Sequence, residues 1–295
     1  MIGIDIGATK ALGVALGGDG SVVAQVRFPT QAGPDGVLRT AARVVDELSG
    51  SVGPASMVGI GVPGMVDPDS GEVSHAVNLD IDGVPLALAA RLAEVVGRRV
   101  VVENDVNVAA LGVAALTGST DLAYLGIGTG LAAGIVVDGR LRRGASGVAG
   151  EIGHVSVDPA GVLCGCGQRG CLETIASGSA LARMWPGGES ARVGRLRKAA
   201  LDGDAHAATV WNQFADGLAQ AVTAVALGVD PEVIVLGGGV VEAGDALLHA
   251  VEEALDRRAS RSPFLATLHL ADRLERVPSG PFAAVGAAML GASRS

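Results

Sequence analysis

Short apolar segments that end in glycine turns alternate along the chain with longer segments of helical period. Apolar runs at 57–64, 98–105 and 233–236, bounded by turn residues, predict strands. Helices are predicted at 35–48, 84–96, 106–116, 215–227, 242–257 and 282–290. This alternation is typical of an α/β protein.

The chain also resembles itself. Residues 2–16 align with residues 123–137 at an offset of 121, so that Gly7 falls on Gly128 and Gly13 on Gly134. Each copy has the pattern of a strand, a tight glycine turn and a returning strand. Chance similarity of two glycine-rich hairpins is the alternative in a chain with 45 glycines. The matching strands favour duplication, which predicts two related α/β domains around a cleft.

We place the first domain at residues 1–117, completed by a C-terminal helix at about 282–295. The larger second domain covers 118–281. The tail at 282–290 is apolar and of helical period, so we expect it to pack back across the first domain.

Composition narrows the classes of function. The 295 residues are 49% hydrophobic and 18% charged, which excludes a disordered chain. The net charge of −9 argues against a broad nucleic-acid footprint or a basic membrane patch. An anionic ligand is still compatible, because backbone amides and a metal ion can hold phosphates locally.

The mean hydropathy of +0.44 raises the question of a membrane segment. The longest uncharged runs, 122–137 and 277–293, are broken by Gly, Pro or Ser and are shorter than the roughly 20 apolar residues of a membrane helix. Asp5 lies within the apolar start, which is unlike an anchor or a signal peptide. We therefore expect a cytoplasmic protein with neither membrane nor nucleic-acid partners.

Three glycine turns at strand ends predict nucleotide binding. The first carries Asp5, Gly7 and Thr9, where backbone amides and a hydroxyl can meet phosphate oxygens and the acid can hold a hydrated Mg²⁺. The second and third turns are 128–130 and 237–239. A P-loop is excluded, because the chain contains no GxxxxGK[ST] sequence.

Carboxylates end the strand at 98–105. Glu103, Asn104 and Asp105 stand where α/β sheets place their ligands. An ionised aspartate can accept the proton of a hydroxyl that attacks a γ-phosphate. The alternative is ordinary helix capping by Asn104 or Asp105.

A metal site is predicted by His154 with the closely spaced Cys164, Cys166 and Cys171. Three thiolates and one imidazole form a standard tetrahedral zinc set, and four protein ligands leave no open position, so the zinc would be structural. The acids Glu151 and Glu173 flank this site.

These motifs together resemble one known family. The run Cys164–Ser177 (CGCGQRGCLETIAS), with GEIGH at 150–154, ENDVN at 103–107 and DIGATK at 5–10, is similar to the ROK family of sugar kinases. The resemblance covers essentially the whole chain and implies an actin-like ATPase fold with two duplicated domains. It also implies phosphorylation of a hexose, most often glucose, by ATP with Mg²⁺, and a homodimer or higher homo-oligomer.

The resemblance assigns roles to individual residues. Asp105 would be the catalytic base, and Asn104 and Asp105 would bind the sugar's 3- and 4-hydroxyls. Glu151, His154 and Glu173 would bind the hydroxyls near carbons 1 and 2. The remaining sugar-pocket residues would be Gly64 and Asn78, and the nucleotide would meet Asp5, Gly7, Thr9, Lys10, Gly128, Thr129, Gly130, Gly238 and Gly239.

The sequence departs from the family pattern in the second phosphate turn, where Ala132 and Ala133 stand in a stretch that usually has another glycine. Ala8 replaces a frequent glycine in the first turn. Two alternatives to a glucokinase stay open. One is a kinase for mannose, fructose, N-acetylglucosamine or N-acetylmannosamine, and the other is a non-catalytic sugar sensor or regulator.

Overall fold

The computed structural model describes residues 1–52, 57–186, 192–240 and 244–290. Its strands are β1 Ile2–Ile6, β2 Lys10–Leu16, β3 Val22–Pro29, β4 Met57–Val62, β5 Met65–Val66, β6 Val73–Ser74, β7 Arg99–Asn104, β8 Leu122–Ile127, β9 Leu131–Val137, β10 Arg140–Leu141, β11 Val233–Gly237 and β12 Leu274–Arg276. Its α-helices are α1 Pro34–Val52, α2 Leu88–Val96, α3 Asp105–Thr117, α4 Gly178–Met184, α5 Arg192–Leu201, α6 Ala205–Val229, α7 Asp245–Ala259, α8 Pro263–Ala266 and α9 Phe282–Met289. Short 3-10 helices occur at Val77–Leu79, Ile152–His154, Leu172–Thr174 and Leu270–Arg273.

Contacts divide the chain into two compact units. The first contains the described residues within 1–121, 134–149 and 278–290, and the second those within 122–133 and 150–277. The domain boundaries predicted at 117 and 281 stay predictions, and the last five residues of the predicted C-terminal helix, 291–295, lie outside the described residues.

The two main sheets have the same strand order, which supports the predicted α/β duplication. The first runs β3-β2-β1-β4-β7 and the second β10-β9-β8-β11-β12. In each sheet two parallel pairings follow the hairpin: β1 with β4 and β4 with β7, and β8 with β11 and β11 with β12. Strands β2 and β9 begin at residues 10 and 131 and end at 16 and 137, so they stand at the offset of 121 found in the sequence.

Alternate side chains of β1 point to opposite faces of the first sheet, and each face packs against different helices. Ile2, Ile4 and Ile6 are fully buried in one cluster with α1 and α2. Residues at odd positions point to the opposite face of a strand. On that face Gly3 lies against Ala284 in α9, so Asp5 points toward the layer that contains α9 and α3.

Glycines let α9 pack closely on the first unit. A Cβ on Gly59 in β4 would overlap the carbonyl of Ala287, and one on Gly112 in α3 would overlap the carbonyl of Phe282. From the side of α9, a Cβ on Gly286 would overlap the carbonyl of Val108 in α3. Helix α9 therefore packs against both the sheet and α3, as the apolar pattern of 282–290 predicts.

Two helices begin well away from their predicted first residues, and α1 ends at Val52 where the sequence predicts an end at 48. The predicted helix at 84–96 begins only at Leu88, because Leu86 exchanges backbone hydrogen bonds of 2.9 and 2.8 Å with Val73. Helix α6 begins ten residues earlier than predicted, since Asp204 caps it by accepting hydrogen bonds from the amides of His206 and Ala207. Part of the helix predicted at 242–257 lies outside the described residues, and α7 covers Asp245–Ala259.

Candidate active site

The turn from β7 into α3 carries the candidate base. Asn104 is the N-cap of α3, and its Oδ1 accepts hydrogen bonds from the amides of Val106 (2.9 Å) and Asn107 (3.3 Å). Asp105 is the first residue of the helix, with Oδ1 2.9 Å from the amide of Val106. The capping interpretation therefore holds for Asn104, whereas Asp105 presents its carboxylate at the positive end of the helix dipole.

The structure brings Gly64 to the same turn. Its carbonyl accepts a hydrogen bond of 3.1 Å from Nδ2 of Asn104, which leaves one N–H of that amide to donate elsewhere. Gly64 has a φ of +102°, and a Cβ there would clash with the carbonyl of Ser74 at 2.7 Å. Asn78 is exposed in the 3-10 helix Val77–Leu79, and among the described residues its side chain makes no hydrogen bond to the other candidates.

Asp5 stands at the end of β1, near Asp105. Removal from solvent, together with the negative charge of Asp105, raises the pKa of Asp5 to about 7, and the positive charge of Lys10 opposes that rise. Asp5 and Asp105 are thus close enough for their negative charges to interact, which favours the binding of a cation between or beside them.

The raised pKa predicts a stability that depends on pH. A carboxyl that titrates near 7 in the folded chain and near 3.8 in the unfolded chain costs stability as the pH rises between these values. We therefore expect Asp5→Asn to be more stable than the wild type at pH 8, by up to a few kcal/mol, and nearly equal to it at pH 4. Thermal unfolding without Mg²⁺ or nucleotide measures this. Asp19→Asn, at an exposed aspartate bonded to Ser21, is the control and should show no such gain. A gain for Asp5→Asn that is the same at both pH values would contradict the expectation.

The first glycine turn is held by backbone and hydroxyl contacts. The amide of Gly7 donates to the carbonyl of Lys10 at 2.9 Å, and the hydroxyl of Thr30 donates to the carbonyl of Gly7 at 2.7 Å. Thr9 and Lys10 are exposed beyond this turn. Their hydroxyl and ammonium groups are therefore available to an anionic ligand.

The second glycine turn belongs to the second unit and is fixed from the N-terminus of α4. The amide of Gly178 donates to the carbonyl of Gly128 at 2.8 Å, and the hydroxyl of Ser179 donates to the carbonyl of Thr129 at 2.7 Å. A Cβ on Gly128 or Gly239 would meet no described heavy atom within 4 Å, so a ligand could approach either backbone closely. Gly238, with a φ of +92°, lies against the backbone of Ile127 at the start of the same turn.

The four candidate metal ligands come together in the second unit. One ligand atom from each of His154, Cys164, Cys166 and Cys171 lies within 4.8 Å of all the others. The Sγ atoms of Cys166 and Cys171 are 3.7 Å apart, and Nδ1 of His154 is 3.8 Å from Sγ of Cys164. Tetrahedral zinc with bonds of about 2.3 Å to sulfur needs ligand separations of about 3.8 Å. The donor set and its spacing therefore fit zinc.

Backbone geometry and charge shape this cluster. The amide of Cys164 donates to the carbonyl of Gln168 at 2.7 Å, which closes the loop that carries the first two thiols. A hydrogen bond from the backbone of Gln168 lowers the pKa of the Cys166 thiol to about 7, while burial raises the pKa of Cys171 to about 12. Cys166 thus offers a thiolate readily, and a cation would have to displace the proton of Cys171.

The acids beside the cluster have separate partners. Oε2 of Glu151 lies 3.8 Å from Nε2 of His154, on the ring edge opposite the nitrogen that faces the thiols. Oε2 of Glu173 accepts a hydrogen bond of 3.1 Å from the amide of Leu131, just after the second glycine turn. Glu173 therefore joins the cysteine segment to that turn, a contact that sequence reasoning missed.

The sequence places Glu103 among the candidate ligand residues at the end of its strand, but predicts no partner for it and gives no role to Asn107 or Arg143. Nδ2 of Asn107 donates to Oε1 of Glu103 at 3.0 Å, and Nε of Arg143 donates to Oε2. The sequence contains a signal for the first of these pairs, because residues 103 and 107 are four apart at a strand-to-helix junction. It contains none for Arg143, which is 40 residues away.

None of the described helices is both long and apolar enough to cross a membrane.

The sequence of this chain matches the family model named the ROK family over residues 1–292. A glucokinase of Halalkalibacterium halodurans is 35% identical over 90% of each chain, and an N-acetylmannosamine kinase of Vibrio cholerae is 31% identical over 88% of this chain and 90% of its own.

Solved structures show the same similarity. A ROK hexokinase from Thermus thermophilus is 31% identical with a TM-score of 0.80, covering 98% of this chain and 96% of its own. A ROK family glucokinase from Streptomyces griseus, in complex with glucose and AMPPNP, is 30% identical with a TM-score of 0.77 and covers 98% of both chains. The predicted actin-like α/β fold is thereby confirmed.

Proposed function

The chain belongs to the ROK family, and from that membership we propose that it is an ATP-dependent hexose kinase, specifically a glucokinase that makes glucose 6-phosphate and ADP. The observation that carries this proposal is the position of Asp105 at the N-terminus of α3, beside Asp5, in a chain whose residues 1–292 match the family. A phosphotransferase needs such a carboxylate next to a place for phosphates.

Asp105 is the proposed general base. Its carboxylate accepts the proton of the sugar's 6-hydroxyl as that oxygen bonds to the γ-phosphorus of ATP. The bond from the γ-phosphorus to the bridging oxygen breaks, and ADP leaves with the electron pair. The proton stays on Asp105 until it is lost to solvent.

Asn104 is the proposed partner of the adjacent sugar hydroxyls. Its Oδ1 is occupied in capping α3 and one N–H in binding Gly64, so its remaining N–H is the group that can donate to the sugar. Glu151, His154 and Glu173 are proposed to bind the hydroxyls near carbons 1 and 2. Asn78 is exposed, and its place in the sugar pocket remains a proposal.

The glycine turns are the proposed phosphate sites. Gly7 and residues 128–130 are assigned to the phosphates, Thr9 and Lys10 supply a hydroxyl donor and one positive charge, and Gly238 and Gly239 are assigned to the nucleotide. Bound Mg²⁺ would neutralise phosphate charge, and Asp5 is the residue proposed to hold it through water. Ala132 and Ala133 lie within β9, beyond the turn, so their methyl groups do not lengthen it.

Zinc is the proposed occupant of the cysteine cluster. Its four ligands, His154, Cys164, Cys166 and Cys171, leave no open coordination position, so the role is structural. It would hold the segment that carries Glu151 and Glu173 in one conformation.

A substrate panel tests the function. We expect ADP release with Mg²⁺-ATP and glucose, at a kcat/KM at least about tenfold above that for mannose, fructose, N-acetylglucosamine or N-acetylmannosamine, since one lost polar contact at carbon 2 costs that much. A higher kcat/KM for N-acetylmannosamine would move the assignment to that sugar, in line with the relative from Vibrio cholerae. Binding of a sugar without turnover of any would contradict a kinase and favour a sensor.

A further inference from the structure

Glu103 is a buried acid two residues before the proposed base. It is only 3% exposed, and each of its oxygens is bonded. Oε1 accepts hydrogen bonds of 3.0 Å from the backbone amide of Asn104 and from Nδ2 of Asn107. These two donors lie on the last residue of β7 and in the first turn of α3, so Glu103 braces the turn that carries Asp105.

Arg143 supplies the charge that compensates this buried acid. Its Nε donates to Oε2 of Glu103 at 2.5 Å, and its side chain is 21% exposed. Arg143 lies just after β10, where its carbonyl accepts a hydrogen bond of 3.0 Å from the amide of Ala149. A buried carboxylate that loses its cationic partner is strongly destabilised where it stands. The position of Glu103 therefore depends on Arg143.

The bonds run in sequence from Arg143 to the base. Arg143 fixes Glu103, Glu103 fixes the amide of Asn104 and the side chain of Asn107, and Asn104 caps the helix on which Asp105 is the first residue. Nη2 of Arg143 is buried and has no hydrogen-bond partner among the described residues, so the guanidinium is held through Nε.

We propose that Arg143 is a positioning residue of the phosphoryl transfer, which acts through Glu103 to hold the Asn104–Asp105 turn in its productive orientation. This inference rests on the proposed kinase function. A shift of about 1 Å in a reacting group can cost about 100-fold in rate. Because Arg143 is tied to the base and not to either glycine turn, its loss should lower kcat while leaving the KM for ATP nearly unchanged.

The test compares four variants with the wild type. Arg143→Met removes the cation at similar length, and Arg143→Lys restores it without the planar fork. The double variant Glu103→Gln with Arg143→Met also removes the buried negative charge. Arg142→Met is the matched control, because it removes the neighbouring arginine, whose partner Asp138 is exposed.

We expect Arg143→Met to lower kcat about 10- to 100-fold with less than about a twofold change in the KM for ATP. Arg143→Lys should recover most of that loss, and the double variant should be faster than Arg143→Met alone, because no unpaired charge remains beside the turn. Arg142→Met should match the wild type. Thermal unfolding of each variant identifies the folded ones, and Arg143→Lys carries the test if Arg143→Met does not fold.

Several results would overturn the inference. These are an unchanged kcat in folded Arg143→Met, a KM for ATP that rises as much as kcat falls, or a double variant no faster than Arg143→Met. For Arg143→Lys alone, a kcat equal to that of the wild type with a raised KM for ATP would do so too. A wild type without kinase activity on any hexose would instead remove the proposed function, so the two failures are distinguishable.

Discussion

Asp105→Asn loses turnover by about three orders of magnitude or more, because an amide cannot accept the proton of the attacking hydroxyl. The folded structure should persist, since capping of α3 is performed by Asn104 and an asparagine at the first helical position is sterically equivalent. Glucose should still bind, because its other proposed contacts remain. Steady-state kinetics with Mg²⁺-ATP and glucose, together with calorimetric titration of glucose, measure both quantities.

Asp35→Asn is the matched control for this variant. Asp35 is also an acid in the first turn of a helix, α1, but it is exposed and paired with Arg91 at 2.7 Å. Its substitution should leave kcat within about twofold of the wild type, as expected for an exposed ion pair of small energy. Turnover of Asp105→Asn above about a tenth of the wild-type rate would be incompatible with Asp105 as the general base.

Cys166→Ser gives the second large effect, the loss of zinc and of much of the activity. Cys166 is exposed, whereas Cys164 and Cys171 are buried, so this exchange removes a ligand without opening a cavity. A serine hydroxyl is a poor zinc ligand, and loss of the metal should release the segment that carries Glu151 and Glu173. We expect about one zinc per wild-type chain, much less in the variant, a lower unfolding temperature and a reduced kcat/KM.

Gln168→Ala is the control for the cysteine loop. Gln168 lies in the same exposed loop, 3.7 Å from Sγ of Cys166 through its side-chain nitrogen, and is not among the four clustered ligands. It should retain zinc and most of the activity. Full activity and unchanged unfolding in a zinc-free Cys166→Ser preparation would show that the cluster has no structural role.

Local patterns predicted the elements that depend on neighbours in sequence. The glycine hairpins, the apolar strand predicted at 57–64 and found at Met57–Val62, and the helix after Asn104 follow from short-range signals. The offset of 121 aligns β2 with β9. The start of α2 was predicted too early, because the bridge from Leu86 to Val73 spans thirteen positions and leaves no local trace.

Contacts between distant positions account for the rest of the site. The spacing of the three cysteines predicted a common site with His154, and the structure brings the four together. The bond from Glu173 to the amide of Leu131 and the pair Glu103–Arg143 join positions 42 and 40 residues apart. Only the folded chain sets these distances, because periodicity and spacing do not encode which side chains from distant parts of the sequence meet.

The measurement that tests the central claim most directly is the product of a reaction with glucose and Mg²⁺-ATP, followed by phosphorus NMR. If the chain is a hexose kinase with Asp105 as its base, the wild type should form glucose 6-phosphate and ADP in equal amounts. Asp105→Asn should form both products only at its small residual rate. ADP released without phosphorylated glucose, or equal product from the wild type and Asp105→Asn, would contradict it.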